Sequence, residues 1–279
     1  MSKITVFYMP EQVAKTDSFS KSPRKPKIVV DAWQRIFPAN VEVAEFEPVT
    51  SKQLKLVHSE RYVDGVLSGK IPNGFGNYDK AVSDSLLYTS GSMLAAARHA
   101  LKAGVAVAPV SGFHHACHNG GGGFCTFEGL ALTAKVLKDE KLVKRVGICD
   151  CDMHWGNGSA DIINRLGFKF IEHFSAGKNY HVPEDASDFF DRLPSILNRF
   201  KGVDVLLYQA GADPWVGDEL GGWLTMSELA ERDRIVFKFC KENGIPLAWN
   251  LAGGYAAEYQ DTITIHVHTM YECIQVYHN

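Results

Sequence analysis

Cysteine is scarce in this chain, and none of it forms a paired motif. Cys117, Cys125, Cys149, Cys151, Cys240 and Cys273 are the whole complement of 279 residues, with no Cys-x-x-Cys among them. That excludes a disulfide framework and a cysteine-built zinc module, and the expectation is reduced thiols in a cytoplasmic protein. Long hydrophobic runs are also missing: nothing approaches the ~20 apolar residues of a membrane span. The opening MSKITVFYMP has one lysine and an apolar stretch too short for a signal-peptide core. Neither sign of charge is in excess. Lys+Arg 29 against Asp+Glu 32 gives a net charge of −3, so no global positive field exists to hold nucleic acid or an anionic membrane. No Gly/Ser linker and no internal repeat divides the sequence.

What is present is ordinary globular material. Hydrophobic residues make up 46% and charged ones 22%, which excludes disorder and leaves ample substance for a core. Short β-branched or apolar runs at Ile4–Tyr8, Val41–Phe46, Val105–Pro109, Val146–Asp150, Phe168–His173, Val203–Gln209 and Pro246–Leu251 read as strands. Helical patterns near 27–37, 59–69, 81–102, 127–138, 158–166, 187–200 and 226–243 alternate with them. Near-continuous apolar strands between amphipathic helices predict an α/β fold, a three-layer αβα domain over 1–279 with a mainly parallel sheet. Lys15–Lys27, basic and carrying Pro23 and Pro26, reads as an exposed loop. The alternating run Ile263–Val267, with His266-x-His268, reads as a strand face. The four glycines before Phe124 are followed by no Gly-Lys-Ser/Thr, so they mark a backbone that approaches a ligand closely or turns sharply, not a phosphate loop.

In parallel α/β sheets, ligands sit beyond the carboxyl ends of the strands. Four such ends here collect polar residues: Ser111–His118, Asp150–Gly158, Ala210–Pro214 and Ala252–Tyr255. Asp152 and His154 stand two residues apart and can converge on one ion, with Asp213 as a third ligand from another strand. Three O/N ligands with one open position describe a catalytic zinc. His114 and His115 are candidate proton carriers beside it. Asp150 and Asn157 flank the metal motif and can each orient one imidazole. Tyr255 follows two glycines and can offer its phenol to a developing oxyanion.

The strings SGFHHA (111–116), GGGGFC (120–125), VGICDCDMHWGNG (146–158), AGADPWVGDELGG (210–222) and LAGGYA (251–256) carry a family resemblance. With VHSERYVDG (57–65), they make the chain similar to the histone deacetylase and acetylpolyamine amidohydrolase superfamily, with the arginase–deacetylase fold. It most resembles the class IV-like bacterial branch. The resemblance implies one zinc on Asp152, His154 and Asp213, and His115 as general base and acid. Asp150 would partner His114, Asn157 would partner His115, and Tyr255 would polarise the carbonyl. Gly123 and Phe124 would line the acyl tunnel. A potassium ion on main-chain groups around Asp150, Asp152 and His154 is also implied. Three departures stand out: Ser111 where proline or glycine is common, Ala252 within the glycine run, and the segment Glu172–Pro183. The last carries Lys178, Asn179, Tyr180 and His181 where relatives carry a phenylalanine-rich tunnel wall, which predicts a more polar wall.

The implied activity is hydrolysis of an N-acyl amide by metal-activated water. The substrate would be an acyl-lysine, an acetylpolyamine or a small metabolite, with no nucleic acid and no membrane involved. Two other readings are weaker. A two-manganese ureohydrolase needs bridging acids, and Gly156 and Gly211 stand where they would fall. A non-catalytic acyl-binding protein would be expected to lose a ligand, a histidine or the tyrosine, and all are retained.

Overall fold

The computed structural model describes residues 3–16 and 18–278; Met1, Ser2, Asp17 (inside the stretch 15–27) and Asn279 lie outside the described residues. Seven strands are arranged in one parallel sheet: β1 Ile4–Phe7, β2 Val41–Ala44, β3 Val105–Ala108, β4 Val146–Asp150, β5 Ile171–Ser175, β6 Val205–Gln209 and β7 Leu247–Asn250. Their order is β2-β1-β3-β7-β6-β4-β5. Every pairing is parallel, as strands without hairpin signals and with helical crossovers require.

Alternation along the strands divides the core into two layers. Val107, Leu206, Tyr208, Leu247 and Trp249 face one layer, while Ala106, Ala108, Val205, Leu207 and Ala248 face the other. The first layer is covered by α1 (Lys25–Ile36), α7 (Asp185–Asn198), α8 (Met226–Glu242) and α9 (Tyr259–His278). The second is covered by α3 (Glu60–Leu67), α4 (Lys80–Ala103), α5 (Gly129–Asp139) and α6 (Asn157–Leu166). One short helix, α2 (Ser51–Leu54), lies between β2 and α3.

Three sequence expectations change here. Strand β5 begins at Ile171 rather than Phe168, because Phe168 and Lys169 turn the chain out of α6 through left-handed Gly167. Residues 263–267 form part of helix α9, not a strand. Thr262, Ile263, Ile265, His266, Thr269, Met270, Cys273 and Ile274 are buried, pairs recurring every three to four residues that the local β-branched alternation hides. The second half of the stretch 15–27 is no solvated loop: Ser22–Arg24 form a 3₁₀ turn and Lys25 opens α1, with Ser22, Pro23, Lys25 and Pro26 buried.

Candidate active site

Strands β3, β7, β6 and β4 are consecutive neighbours in the sheet. Their carboxyl ends therefore bring the four polar clusters into one place. Asp150, the last residue of β4, is held by three donors. Its Oδ2 accepts from His114 Nδ1 at 2.8 Å, and its Oδ1 from Gln209 Nε2 at 2.9 Å and the Asp152 N–H at 3.2 Å. Past the strand end the chain bends, so that Asp152 Oδ1 accepts from the His154 N–H at 3.0 Å. Asp152 Oδ2 accepts from the Gly253 N–H at 2.8 Å. Gly253 has to be glycine, since a Cβ there would lie 2.1 Å from Asp213 Oδ2.

Asp152, His154 and Asp213 offer ligand atoms all within 4.8 Å of one another. His154 Nδ1 lies 3.1 Å from Asp213 Oδ2 and 3.4 Å from Asp152 Oδ1. Both carboxylates are buried. Among the described residues their ion-pair partners are the imidazoles of His114 and His154, with no ammonium or guanidinium. Such a set is short of positive charge. Hydrogen bonds to Asp152 and Asp213 hold the His154 imidazole up to about 11, while burial pushes Asp213 up to about 7. Without metal the three groups retain a proton among themselves. Two buried carboxylates and one imidazole nitrogen fit a divalent cation with an open position for a ligand.

The tandem histidines differ electrostatically. Burial disfavours charge on His114, but the Asp150 and Asp152 carboxylates outweigh it and hold its pKa up to about 9. Burial, together with charged His114 beside it, lowers His115; the two rings lie 4.1 Å apart. His115 Nδ1 lies 2.7 Å from Asn157 Oδ1, an acceptor, so Nδ1 carries the hydrogen and Nε2 keeps its lone pair. Neighbours that push two pKa values apart assign an acid and a base. Tyr255 is half-buried; loss of solvent around its phenol, with the Asp213 and Asp152 charges, raises it well above the ordinary value, so it remains a donor.

Gly123 and Phe124 lie beside the histidine pair and the tyrosine. Both have left-handed φ, 51° and 62°, and a Cβ at Gly123 would lie 2.5 Å from the His115 ring. The Phe124 ring lies tilted against Tyr255 at 5.6 Å, Phe75 at 5.7 Å and Phe19 at 6.4 Å. Lys178 Nζ stands 5.8 Å over the ring of half-exposed Trp155. Tyr180 is no part of a wall: it is buried and stacks on Trp223 at 5.5 Å within the core. Of the four residues expected to make the wall polar, Tyr180 is thus withdrawn into the core, while Lys178, Asn179 and His181 are exposed.

Three supporting residues escaped the sequence reading. Gln209 fixes Asp150, and its signal was a polar residue ending an apolar strand. Asp218 accepts the Tyr255 N–H at 2.6 Å and so anchors the tyrosine's turn. Lys25 is 0% exposed, and its ammonium donates to the carbonyls of Ala252 at 2.5 Å and Gly253 at 3.1 Å. Ala252 has a left-handed φ of 52° that alanine adopts only at a cost, and the buried ammonium helps to hold it. Burial lowers Lys25 to about 8, against the pull of Asp213 and Asp152.

A parallel αβα sheet with an Asp/His/Asp cluster and two tandem histidines at its carboxyl edge defines an α/β protein of the arginase–deacetylase fold. The histone deacetylase domain matches residues 20–175, and the chain belongs to that family. An uncharacterized protein of Picosynechococcus is 31% identical over 76% of this chain and 78% of its own length. Histone deacetylase 2 of Arabidopsis thaliana is 27% identical over 77% of this chain and 64% of its own length. Acetylpolyamine amidohydrolase of Mycoplana ramosa is 36% identical over 64% of this chain and 59% of its own length. The crystal structure of acetylpolyamine aminohydrolase from Burkholderia pseudomallei superposes with a TM-score of 0.74 at 16% identity, covering 99% of each chain. Among the described residues no helix is long and apolar enough to cross a membrane.

Proposed function

We propose that this chain is a zinc-dependent amidohydrolase that removes an acyl group, acetyl in the first place, from an amine such as an acyl-lysine. The carrying observation is the convergence of Asp152, His154 and Asp213 within 4.8 Å of one another, beside a histidine pair of split basicity. Zinc held by those three side chains supplies Lewis acidity to the acyl carbonyl and lowers the pKa of the attacking water. The residues of the chain do the rest. His115 accepts the water's proton at Nε2, with Nδ1 fixed by Asn157. His114, kept charged by Asp150, keeps the resting His115 neutral with Nε2 free for that proton, and stabilises negative charge nearby. The Tyr255 phenol donates to the oxyanion as the carbonyl becomes tetrahedral, an interaction of the kind worth about 3 kcal/mol. His115 then returns its proton to the leaving amine, giving a free amine and a carboxylate. Gly123 and Phe124 enclose the acyl-bearing arm, and main-chain groups around Asp150, Asp152 and His154 are the proposed potassium site.

Asp213→Ala tests the metal assignment. It is expected to lose zinc, measured by elemental analysis after dialysis, and with it hydrolysis of an acetyl-lysine peptide, while the circular dichroism spectrum stays that of wild type. Full zinc occupancy and turnover in that variant would remove Asp213 from the site.

A further inference from the structure

Helix α8 carries an ion pair that the proposed mechanism does not use. Arg232 and Asp233 are both fully buried on the side of the sheet covered by α8 and α9. Arg232 Nη1 donates to two main-chain carbonyls, Cys151 O at 3.0 Å and Gly211 O at 2.9 Å. Cys151 immediately precedes Asp152, and Gly211 lies two residues before Asp213. The two carbonyls therefore belong to the separate chain exits, after β4 and after β6, that carry the two candidate carboxylate ligands. From behind, Nε donates to Asp233 Oδ1 at 2.9 Å, and Nη2 lies 2.8 Å from the same oxygen as an ion pair without a hydrogen bond. Asp233 is in turn held by the Tyr208 hydroxyl and, at 2.6 Å, by the Thr269 hydroxyl of α9.

A buried ion pair is a poor way to gain stability, since well-packed apolar residues of the same volume often serve as well. What a guanidinium offers is a rigid plane whose donors fix several acceptors at once, which the single ammonium of lysine cannot reproduce. Here that plane ties two otherwise separate turns to one helix. We infer that Arg232 is a positioning residue: it sets the spacing between Asp152 and Asp213 and so tunes the metal affinity of the site without touching the metal or the substrate. This inference rests on the reading of Asp152, His154 and Asp213 as metal ligands.

The test compares the full chain, stripped of metal and titrated with zinc against a chromophoric chelator and with cobalt(II) by its visible spectrum. Wild type is compared with Arg232→Lys, Tyr208→Phe and Val236→Ala, the last a buried apolar position on the same helix. Arg232→Lys is expected to weaken zinc binding at least tenfold and to shift the cobalt bands. Val236→Ala is expected to lower the melting temperature of the metal-free chain while leaving zinc affinity and the cobalt spectrum unchanged. If Arg232→Lys does not fold, Tyr208→Phe carries the test, with a several-fold loss of zinc affinity expected. Wild-type affinity and spectrum in Arg232→Lys, or in Tyr208→Phe where that variant decides, overturn the inference alone. A wild-type chain that binds neither metal overturns the metal-site reading and this inference with it.

Discussion

His58 and Glu128 meet beneath the histidine loop and make opposite demands on pH. The His58 ring takes the Glu128 N–H at 2.8 Å on Nε2, and its Nδ1 faces the Cys117 carbonyl at 3.0 Å. Burial lowers His58 to about 4 and raises Glu128 to about 7. Between pH 4 and 6.5 the unfolded chain protonates His58 and the folded chain does not, so that residue's contribution to stability grows with pH. Between 4.5 and 7 the folded chain retains a proton on Glu128 that the unfolded chain has lost, so that contribution shrinks with pH. Glu128→Gln removes only the second effect. Urea unfolding of the metal-free protein should show the Gln variant gaining on wild type by roughly 3 kcal/mol from pH 4.5 to 7; a constant difference would show that Glu128 titrates normally. At the reacting centre, His115→Ala should retain zinc yet lose about 10²–10⁴-fold in turnover. A variant within twofold of wild type would mean that another group takes the proton.

At the level of elements, α9 shows how burial overrides local preference. Thr, Ile and Val each cost some tenths of a kcal/mol in a helix relative to alanine, and the run TITIHVH concentrates them. Packing against α8 and α1 restores the balance through the buried face from Thr262 to Ile274. Within that face His266 is fully buried, and neither ring nitrogen has a hydrogen-bond partner among the described residues. Burial, with Lys25 and Arg232 nearby, pushes it well below the ordinary imidazole range. His266→Leu should therefore raise the urea midpoint, by about 1 kcal/mol or more in stability. The gain should be largest below pH 6.5, where the unfolded wild-type chain takes up a proton that the folded chain refuses. A destabilised variant would show that the imidazole makes a buried polar contact that leucine cannot replace.

Across the whole molecule, charge at the mouth bears on substrate choice. Lys178 stands over Trp155 on one side, and Lys21 lies 5.1 Å from the Tyr259 ring on the side next to Tyr255. Lys21, Glu219, Tyr255 and Tyr259 line one recess there. Lysines near Trp155 and near Tyr255 repel a polycation at low salt, where screening is weakest. An acetyl-lysine peptide or a small neutral amide should thus be preferred over acetylspermidine, and the preference should narrow as salt rises. Comparison of kcat/KM for the two substrates at low and high salt checks this; a polyamine preference undiminished at low salt would falsify the charge argument.

The sequence by itself exposed the candidate site residues and the layer architecture. Apolar strands alternating with amphipathic helices admit little besides a covered parallel sheet. Asp152, His154, Asp213, the histidine pair and Tyr255 were visible because each follows a strand, where a sheet of this kind exposes its residues to a ligand. Their convergence was decided by tertiary structure, since only the order β3-β7-β6-β4 makes four distant segments neighbours. The supports were likewise hidden. Lys25 sits in a stretch whose composition reads as solvent-exposed, and Arg232 lies on a helix rich in charge. Each gains its role from carbonyls more than 20 residues away in sequence that only the folded chain brings within hydrogen-bond reach. The helix at 259–278 was decided in the same way: short-range alternation favoured a strand, and the face that α1 and α8 could bury made it a helix.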